Sequence, residues 1–194
     1  SGYIELYGEK FHCWKKKGHG FMDMREGLKQ SCDVYFYEVA RKLGIDRLSE
    51  TAKKFGLGEK VLDGFIEERT GVVPNTSWKK KFIGKNWYLG ETLHAGIGQG
   101  YWQSSPMQLC LMTAQIANGG YKIKPHIIKD NSINYNDIIN KIKLDQSNFP
   151  LHERNYLDDI KVEFYQRMYH RKSNINFVLD AMFGSTNEQY GTSY

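Results

Sequence analysis

The chain has 194 residues, 40% of them apolar and 14% aromatic, enough to bury the core of one domain or most of one, which excludes global disorder. No stretch approaches ~18 consecutive apolar residues, so nothing in the sequence reads as a membrane-spanning helix. The net charge of +5 is spread along the chain with small knots at Lys15-Lys16-Lys17 and Lys79-Lys80-Lys81, and no RNA- or DNA-binding signature accompanies it, so no nucleic-acid partner is expected.

Ser1-Gly2-Tyr3-Ile4-Glu5 carries no initiating Met, no basic n-region and no apolar h-region, so the sequence is expected to begin inside a longer protein rather than with a signal peptide. Residues 1–20, rich in Gly, aromatic and basic side chains, read as a strand or loop entry. Asp23 is a suitable N-cap for a helix with Met24 and Leu28 on one face. Phe36, Val39, Ala40 and Leu43 then recur at helical spacing up to Gly44, a good stop. Asp46 is the expected N-cap of a third helix bearing Leu48, Ala52 and Phe55 and ended by Gly56. Residues 57–100 lack long periodic runs and read as loops with short strands. A strong helix start follows: Ser105 as N-cap, Pro106 at the first helical position and Gln108 completing a capping box. Leu109, Met112, Thr113 and Ile116 predict its buried face, and Asn118-Gly119-Gly120 its end. Tyr121 to Ile128 reads as a strand, residues 129–159 as a polar, variable surface excursion, and residues 160–187 as helical, with Ile175, Val178, Leu179 and Met182 in one stripe.

The cysteines are Cys13, Cys32 and Cys110. An odd number argues against a closed disulfide framework. Cys110, inside Leu109-Cys110-Leu111-Met112, reads as a small core residue. Cys13, His19 and Cys32 are soft or borderline ligands at spacings of six and thirteen. With one more ligand they can form the tetrahedral shell that zinc prefers, although the spacing matches no standard zinc finger. A buried Cys32 and an exposed His19 are the plain alternatives, and His12 is the poorer candidate ligand.

Two motifs mislead. Gly96-Ile97-Gly98-Gln99-Gly100 is not the Gly-x-Gly-x-x-Gly of a dinucleotide loop and has no βαβ pattern around it. It reads as a turn in which the backbone passes close to another segment. Ser77-Trp78-Lys79-Lys80 formally matches Ser-x-x-Lys, a nucleophile motif that needs Ser and Lys on one helical turn, but it sits in a basic stretch that reads as loop.

Three segments together resemble one family. They are Trp14-Lys15-Lys16-Lys17-Gly18-His19-Gly20 with Ser31-Cys32-Asp33-Val34-Tyr35-Phe36-Tyr37-Glu38; Phe55-Gly56-Leu57-Gly58 with Glu67-Glu68-Arg69-Thr70-Gly71, Pro74 and Trp78-Lys79; and Gly96 to Tyr101 with Ser105-Pro106-Met107-Gln108-Leu109 and Ala117-Asn118-Gly119-Gly120. Their order and spacing resemble class B penicillin-binding proteins. The Trp-Lys-Lys-x-Gly-His-Gly run and the block from Trp78-Lys79 to Trp87-Tyr88 resemble the elongation type, penicillin-binding protein 2, more than the septal one. The resemblance implies an α+β fold, of which residues 1–194 are a mostly helical, internal part of one transpeptidase domain.

It also implies a peptidoglycan D,D-transpeptidase. A Ser nucleophile attacks the D-Ala-D-Ala bond of a stem peptide, and the acyl group passes to an amine of a neighbouring stem. β-Lactams acylate the same Ser. Of the three motifs that meet in such a cleft, Ser-x-x-Lys, Ser-x-Asn and Lys-Ser/Thr-Gly, this sequence carries the second, as Ser31-Cys32-Asp33. A hydroxyl can donate and accept at once, which suits Ser31 to proton relay, and Asp33 keeps the acceptor of Asn while losing its donor hydrogens. As a bare residue between helices Ser31 can equally be an ordinary N-cap. The nucleophile and the Lys-Ser/Thr-Gly strand are expected outside residues 1–194, so the chain alone is expected to be inactive. The resemblance further implies no cofactor for catalysis and a structural zinc held by Cys13, His19 and Cys32, with Cys13 where a carboxylate is usual and a fourth ligand before Ser1. Elongation-machinery partners and an inner-membrane location facing the periplasm go with it. A non-catalytic remnant or interaction module of the same fold, and a septal-type transpeptidase, are the alternatives.

Overall fold

Residues 1–62, 65–125, 168 and 171–194 are described by the computed structural model. The chain opens with a hairpin of β1 (Tyr3–Leu6) and β2 (Glu9–His12), antiparallel, with Tyr3 opposite His12 and Leu6 opposite Glu9. Tyr7 and Gly8, which join the strands, both have positive φ, 54° and 82°, as a two-residue turn that follows the strand twist requires. Alternation along β2 turns Phe11 inward and His12 outward.

Helices follow: α1 (Met24–Lys29), α2 (Asp33–Leu43), α3 (Ile45–Lys54), α4 (Thr76–Ile83), α5 (Leu89–Gly96), α6 (Pro106–Ala117) and α7 (Lys172–Asn187). With the hairpin they make the α+β, mostly helical arrangement expected. None among the described residues is long and apolar enough to cross a membrane. The hairpin and α5 close on α2, where Phe11, Tyr37 and Leu93 form a buried cluster with Ile4, Leu6, Val34 and Ile97 against it. Each such side chain contributes about 1.5–3 kcal/mol on burial. The Tyr37 hydroxyl donates to the His12 carbonyl over 3.1 Å, so its polar tip is satisfied within an apolar contact.

Several predicted features appear as read. Asp23 accepts from the Glu26 N–H at 2.8 Å. Gly44 ends α2. Ser105 and Gln108 exchange both bonds of the capping box, at 3.0 and 3.2 Å. The expected close approach at the glycine-rich turn occurs at Gly96, where a Cβ would collide with that of Ala40.

Others differ. Residues 57–100, read as loops and short strands, contain α4 and α5. Helix α4 is capped by Asn75, which accepts from the Trp78 N–H at 2.7 Å, and the face that α4 buries carries Lys79, a pattern apolar periodicity does not register. Asp46 does not cap α3, whose N-cap is Gly44. Its carboxylate instead accepts the Thr76 N–H at 3.0 Å, serving the start of α4. On α6 the buried residues are Gln108, Leu111 and Gln115, not the Leu109 face, and both Leu109 and Cys110 are exposed. The reversal has a hydrogen-bond cause. Gln108 Nε2 donates to the carbonyls of Glu59 and Thr70 at 2.6 and 2.9 Å, and Gln115 donates to Phe55 O at 2.9 Å and accepts from Ile123 N–H at 3.2 Å. Satisfied amides can be buried at little cost. Glu68 holds the same loop, accepting the N–H groups of Val61 and Leu62.

Tyr121 is buried, but residues 122–125 form no strand, and 126–128 lie outside the described residues. So do the excursion at 129–159 and most of residues 160–170. Helix α7 buries Ile175, Ala181 and Gly184, with Val178 and Leu179 half-buried and Met182 exposed, because this is the side that meets α1.

Candidate active site and the cysteine–histidine cluster

Among the described residues, four helix ends share one hydrogen-bond pattern, in which a left-handed residue just past the helix lets two successive N–H groups satisfy its last carbonyls. After α3 that residue is Gly56, after α5 Gly98 and after α6 Gly119, with φ of 94°, 77° and 92°. After α1 it is Ser31, with φ 48°. Ser31 N–H donates to Leu28 O at 3.2 Å and Cys32 N–H to Gly27 O at 2.9 Å. Ser31 is therefore not an N-cap. That position before α2 belongs to Cys32, whose side chain makes no capping bond. A non-glycine residue held left-handed costs roughly 1–2 kcal/mol, and here the tight, unusual turn aims the Ser31 side chain outward.

The loop ahead of α1 holds Ser31 from one side. The Trp14 indole Nε1 donates to Ser31 O at 2.8 Å and is 3.3 Å from Gln30 O. The Trp14 backbone N–H donates to Asp33 Oδ2 at 2.8 Å. One carboxylate oxygen of Asp33 thus pins the loop to the start of α2. From the other side comes the end of the chain. Ser31 Oγ lies 2.9 Å from Thr192 Oγ1.

The same loop folds back through a turn closed by Gly18 N–H to Lys15 O at 2.7 Å. This sets His19 beside Cys13, with Cys13 Sγ 3.5 Å from His19 Nδ1. Cys32 completes the group, and the ligand atoms of Cys13, His19 and Cys32 all lie within 4.8 Å of one another. Both thiols are buried, and His19 Nε2 is buried without a hydrogen-bond partner among the described residues. Burial, then the charge of Lys15, holds the His19 pKa below its ordinary value, with Asp33 opposing. Burial, then the bond from the Tyr35 backbone in the opposite sense, sets the Cys32 thiol, and the balance is upward. Tyr37, buried close by, is likewise pushed up by burial and by Asp33. His12 stands apart, exposed on β2 with its ring 5.6 Å from that of Tyr3.

Ser77 and Lys80 do lie one turn apart on α4, contrary to the loop reading. Both are exposed, and Lys80 Nζ is directed to Asn86 Oδ1 at 3.4 Å. No hydrogen bond joins them among the described residues, so the helix does not make this pair a nucleophile and its base. The α4 residue that matters structurally is Lys79, 2% exposed. It is paired with Glu91, and its ammonium sits 4.7 Å from the Tyr88 ring centroid.

The sequence alone assigns no role to Thr192, Ser185, Arg25 or Glu188. Arg25 bonds Asp180 at 2.5 Å and Glu188 at 2.6 Å, and Lys29 bonds Glu188 at 2.8 Å. These pairs clamp α7 on α1 across more than 150 residues, a separation that leaves no local signal.

The penicillin-binding protein transpeptidase domain matches residues 2–193. Peptidoglycan D,D-transpeptidase MrdA of Escherichia coli (strain K12) is 41% identical over 129 residues, 66% of this chain and 20% of the relative. Penicillin-binding protein PBP2 of Pseudomonas aeruginosa, solved with WCK 5153, superposes with a TM-score of 0.75 at 32% identity, covering 98% of this chain and 37% of that one. PBP2 of Helicobacter pylori, solved in complex with MreC, gives 0.77 at 28% identity, covering 100% and 31%. The chain spans about a fifth of the length of the curated relatives it matches. It belongs to the penicillin-binding protein transpeptidase domain family.

Proposed function

We propose that residues 1–194 work as part of a peptidoglycan D,D-transpeptidase of the elongation type, which cross-links stem peptides by serine acyl transfer and is acylated by β-lactams. The nucleophile with its Lys, and the Lys-Ser/Thr-Gly strand, are supplied from outside these residues. Ser31 relays a proton between that Lys and the leaving amine. Asp33 accepts from the substrate backbone with the carboxylate oxygen that Trp14 does not hold.

The observation that carries this reading is the conformation of Ser31. Three equivalent helix ends carry glycine, and a serine held left-handed at the fourth supports a use for its hydroxyl that offsets the strain. Intact mass after incubation with a fluorescent penicillin tests the reading. The 194-residue chain alone is expected to gain no adduct, and a complete transpeptidase domain containing it one adduct per chain, at a rate that Ser31→Ala lowers at least a hundredfold. A stoichiometric adduct on the chain alone would overturn the division of labour, and normal acylation of Ser31→Ala would overturn the role of Ser31.

Cys13, His19 and Cys32 fit a structural zinc ion. Two buried thiols and an imidazole whose buried nitrogen has no partner among the described residues are the donor set that such an ion takes. A fourth ligand comes from outside residues 1–194. The ion anchors the loop to the start of α2 and supplies no chemistry. Cobalt substitution of the complete domain is expected to give a thiolate charge-transfer band that Cys13→Ser weakens. Absence of the band with intact protein would exclude the site.

An inner-membrane location with the site facing the periplasm, and partners from the elongation machinery, go with the transpeptidase reading. The complex of the Helicobacter pylori neighbour with MreC supports the latter.

A further inference from the structure

Thr192 is the residue through which the end of the chain reaches the Ser31 loop. Its N–H donates to Lys29 O at 3.1 Å. Its Oγ1 lies 2.9 Å from Ser31 Oγ, 3.2 Å from Ser185 Oγ and 3.3 Å from Lys29 O. A threonine hydroxyl has one proton and two lone pairs. Lys29 O can only accept, so it takes the proton, and the two lone pairs are left for the hydroxyls of Ser31 and Ser185. Donors and acceptors then balance with no group left over. In this arrangement the Ser31 O–H points at Thr192, and the Ser31 lone pairs are free for a protonated amine to donate to.

The backbone is shaped for this approach. A Cβ on Gly191 would overlap the carbonyl oxygens of Ser185 and Gly184, so only glycine lets the chain turn so tightly onto α7. The Arg25 and Lys29 pairs to Glu188 keep α7 in place. Both sides of Ser31 are then held: its carbonyl by the Trp14 indole and its hydroxyl by Thr192.

We propose that Thr192 is a positioning residue that sets the rotor of the resting Ser31 hydroxyl, so that Ser31 meets its proton donor as an acceptor and, as that proton arrives on its oxygen, swings its own O–H from Thr192 to the leaving amine. The proposal rests on the reading of Ser31 as the relay. The two fail separately when acylation by a chromogenic β-lactam is followed against pH in a complete transpeptidase domain containing these residues. Thr192→Val keeps the size and the backbone bond but loses the hydroxyl. It is expected to slow the acylation step about tenfold or more, with little change in the pre-covalent binding constant, and to displace the pH profile. Thr192→Ser is expected to restore rate and profile. Thr192→Val is expected to add nothing on a Ser31→Ala background, because the two act as one unit. Thr192→Ala, which removes the hydroxyl without a second methyl, serves as the check should Val perturb folding.

Normal acylation by both Thr192→Val and Thr192→Ala, with Ser31→Ala slow, would overturn the proposal and leave the relay standing. Equal slowing in Thr192→Ser and Thr192→Val would reduce Thr192 to packing and overturn it too. Normal acylation by Ser31→Ala would overturn the relay itself.

Discussion

The indole N–H of Trp14 donates to the carbonyl oxygen of Ser31 over 2.8 Å, a bond between residues seventeen apart in sequence. It fixes the peptide plane after Ser31, while the backbone N–H of the same tryptophan fixes Asp33. Trp14 is 59% exposed, so its contribution to global stability is small. Trp14→Phe removes the donor and keeps most of the ring contact with His19. It is expected to cost only about 1 kcal/mol in a denaturant titration, yet to slow β-lactam acylation of the complete domain more than that loss explains. An unchanged rate would mean that the loop needs no indole to hold Ser31.

Ser31→Gly separates strain from chemistry. Glycine adopts the left-handed angle freely, as Gly56, Gly98 and Gly119 do at the other helix ends. Relief of strain exceeds the added entropy of the unfolded chain, and the variant is expected to be about 0.5–1 kcal/mol more stable by chemical denaturation while acylation is lost. A destabilised Ser31→Gly would show that the Ser31–Thr192 hydroxyl contact outweighs the backbone strain.

Legibility in the sequence divided along physical lines. Local signals read correctly: the Asp23 cap, the Ser105–Gln108 capping box, the Gly44 stop and the break at Ser31-Cys32-Asp33. Apolar periodicity failed where polar groups are buried with partners. It chose Leu109 and Met112 as the inner face of α6, whereas Gln108 and Gln115 hold that face through carbonyls of other segments. It missed α4, whose buried side chain is a lysine. Cys13, His19 and Cys32 could be grouped by residue type and spacing alone, and the fold brings their ligand atoms within 4.8 Å of one another. The partner of the Ser31 hydroxyl, 161 residues away, had no local trace at all.

Lys79 and Lys80 are neighbours with opposite fates. Lys79 is 2% exposed, bonded to Glu91 and close to the rings of Tyr88, Trp87 and Tyr101. Glu91 also reaches back to the Tyr88 N–H at 2.8 Å at the start of α5. Lys79→Met leaves this partly buried carboxylate without its cation and is expected to cost about 3 kcal/mol. Lys80→Met, on the exposed side of the same turn, is expected to stay within about 0.5 kcal/mol. Denaturant midpoints of the two variants check the contrast, and equal effects would sink the assignment of Lys79 as a structural lock between α4 and α5.

Acid acts on the clamp between α1 and α7 through Glu188. Hydrogen bonds from Arg25 and then Lys29 hold the Glu188 pKa down to about 2, against an ordinary value of 4.5. Arg25 and Lys29 are raised in turn by Glu188, and they stay charged throughout the acid range. A depressed carboxylate stabilises the folded form fully above its unfolded pKa, and the contribution disappears as pH falls through the folded one. The clamp should therefore be intact above pH 4.5 and weaken from there to about pH 2, while the apolar contacts of Ile175 and Ala181 remain. Amide exchange of α7 relative to α2, followed between pH 5 and 2, is expected to accelerate in α7 selectively after correction for intrinsic rates. In Glu188→Gln that pH dependence should flatten, with α7 already loosened at pH 5. A uniform acceleration of both helices would show that acid acts on the whole fold and that Glu188 carries no local share of the docking.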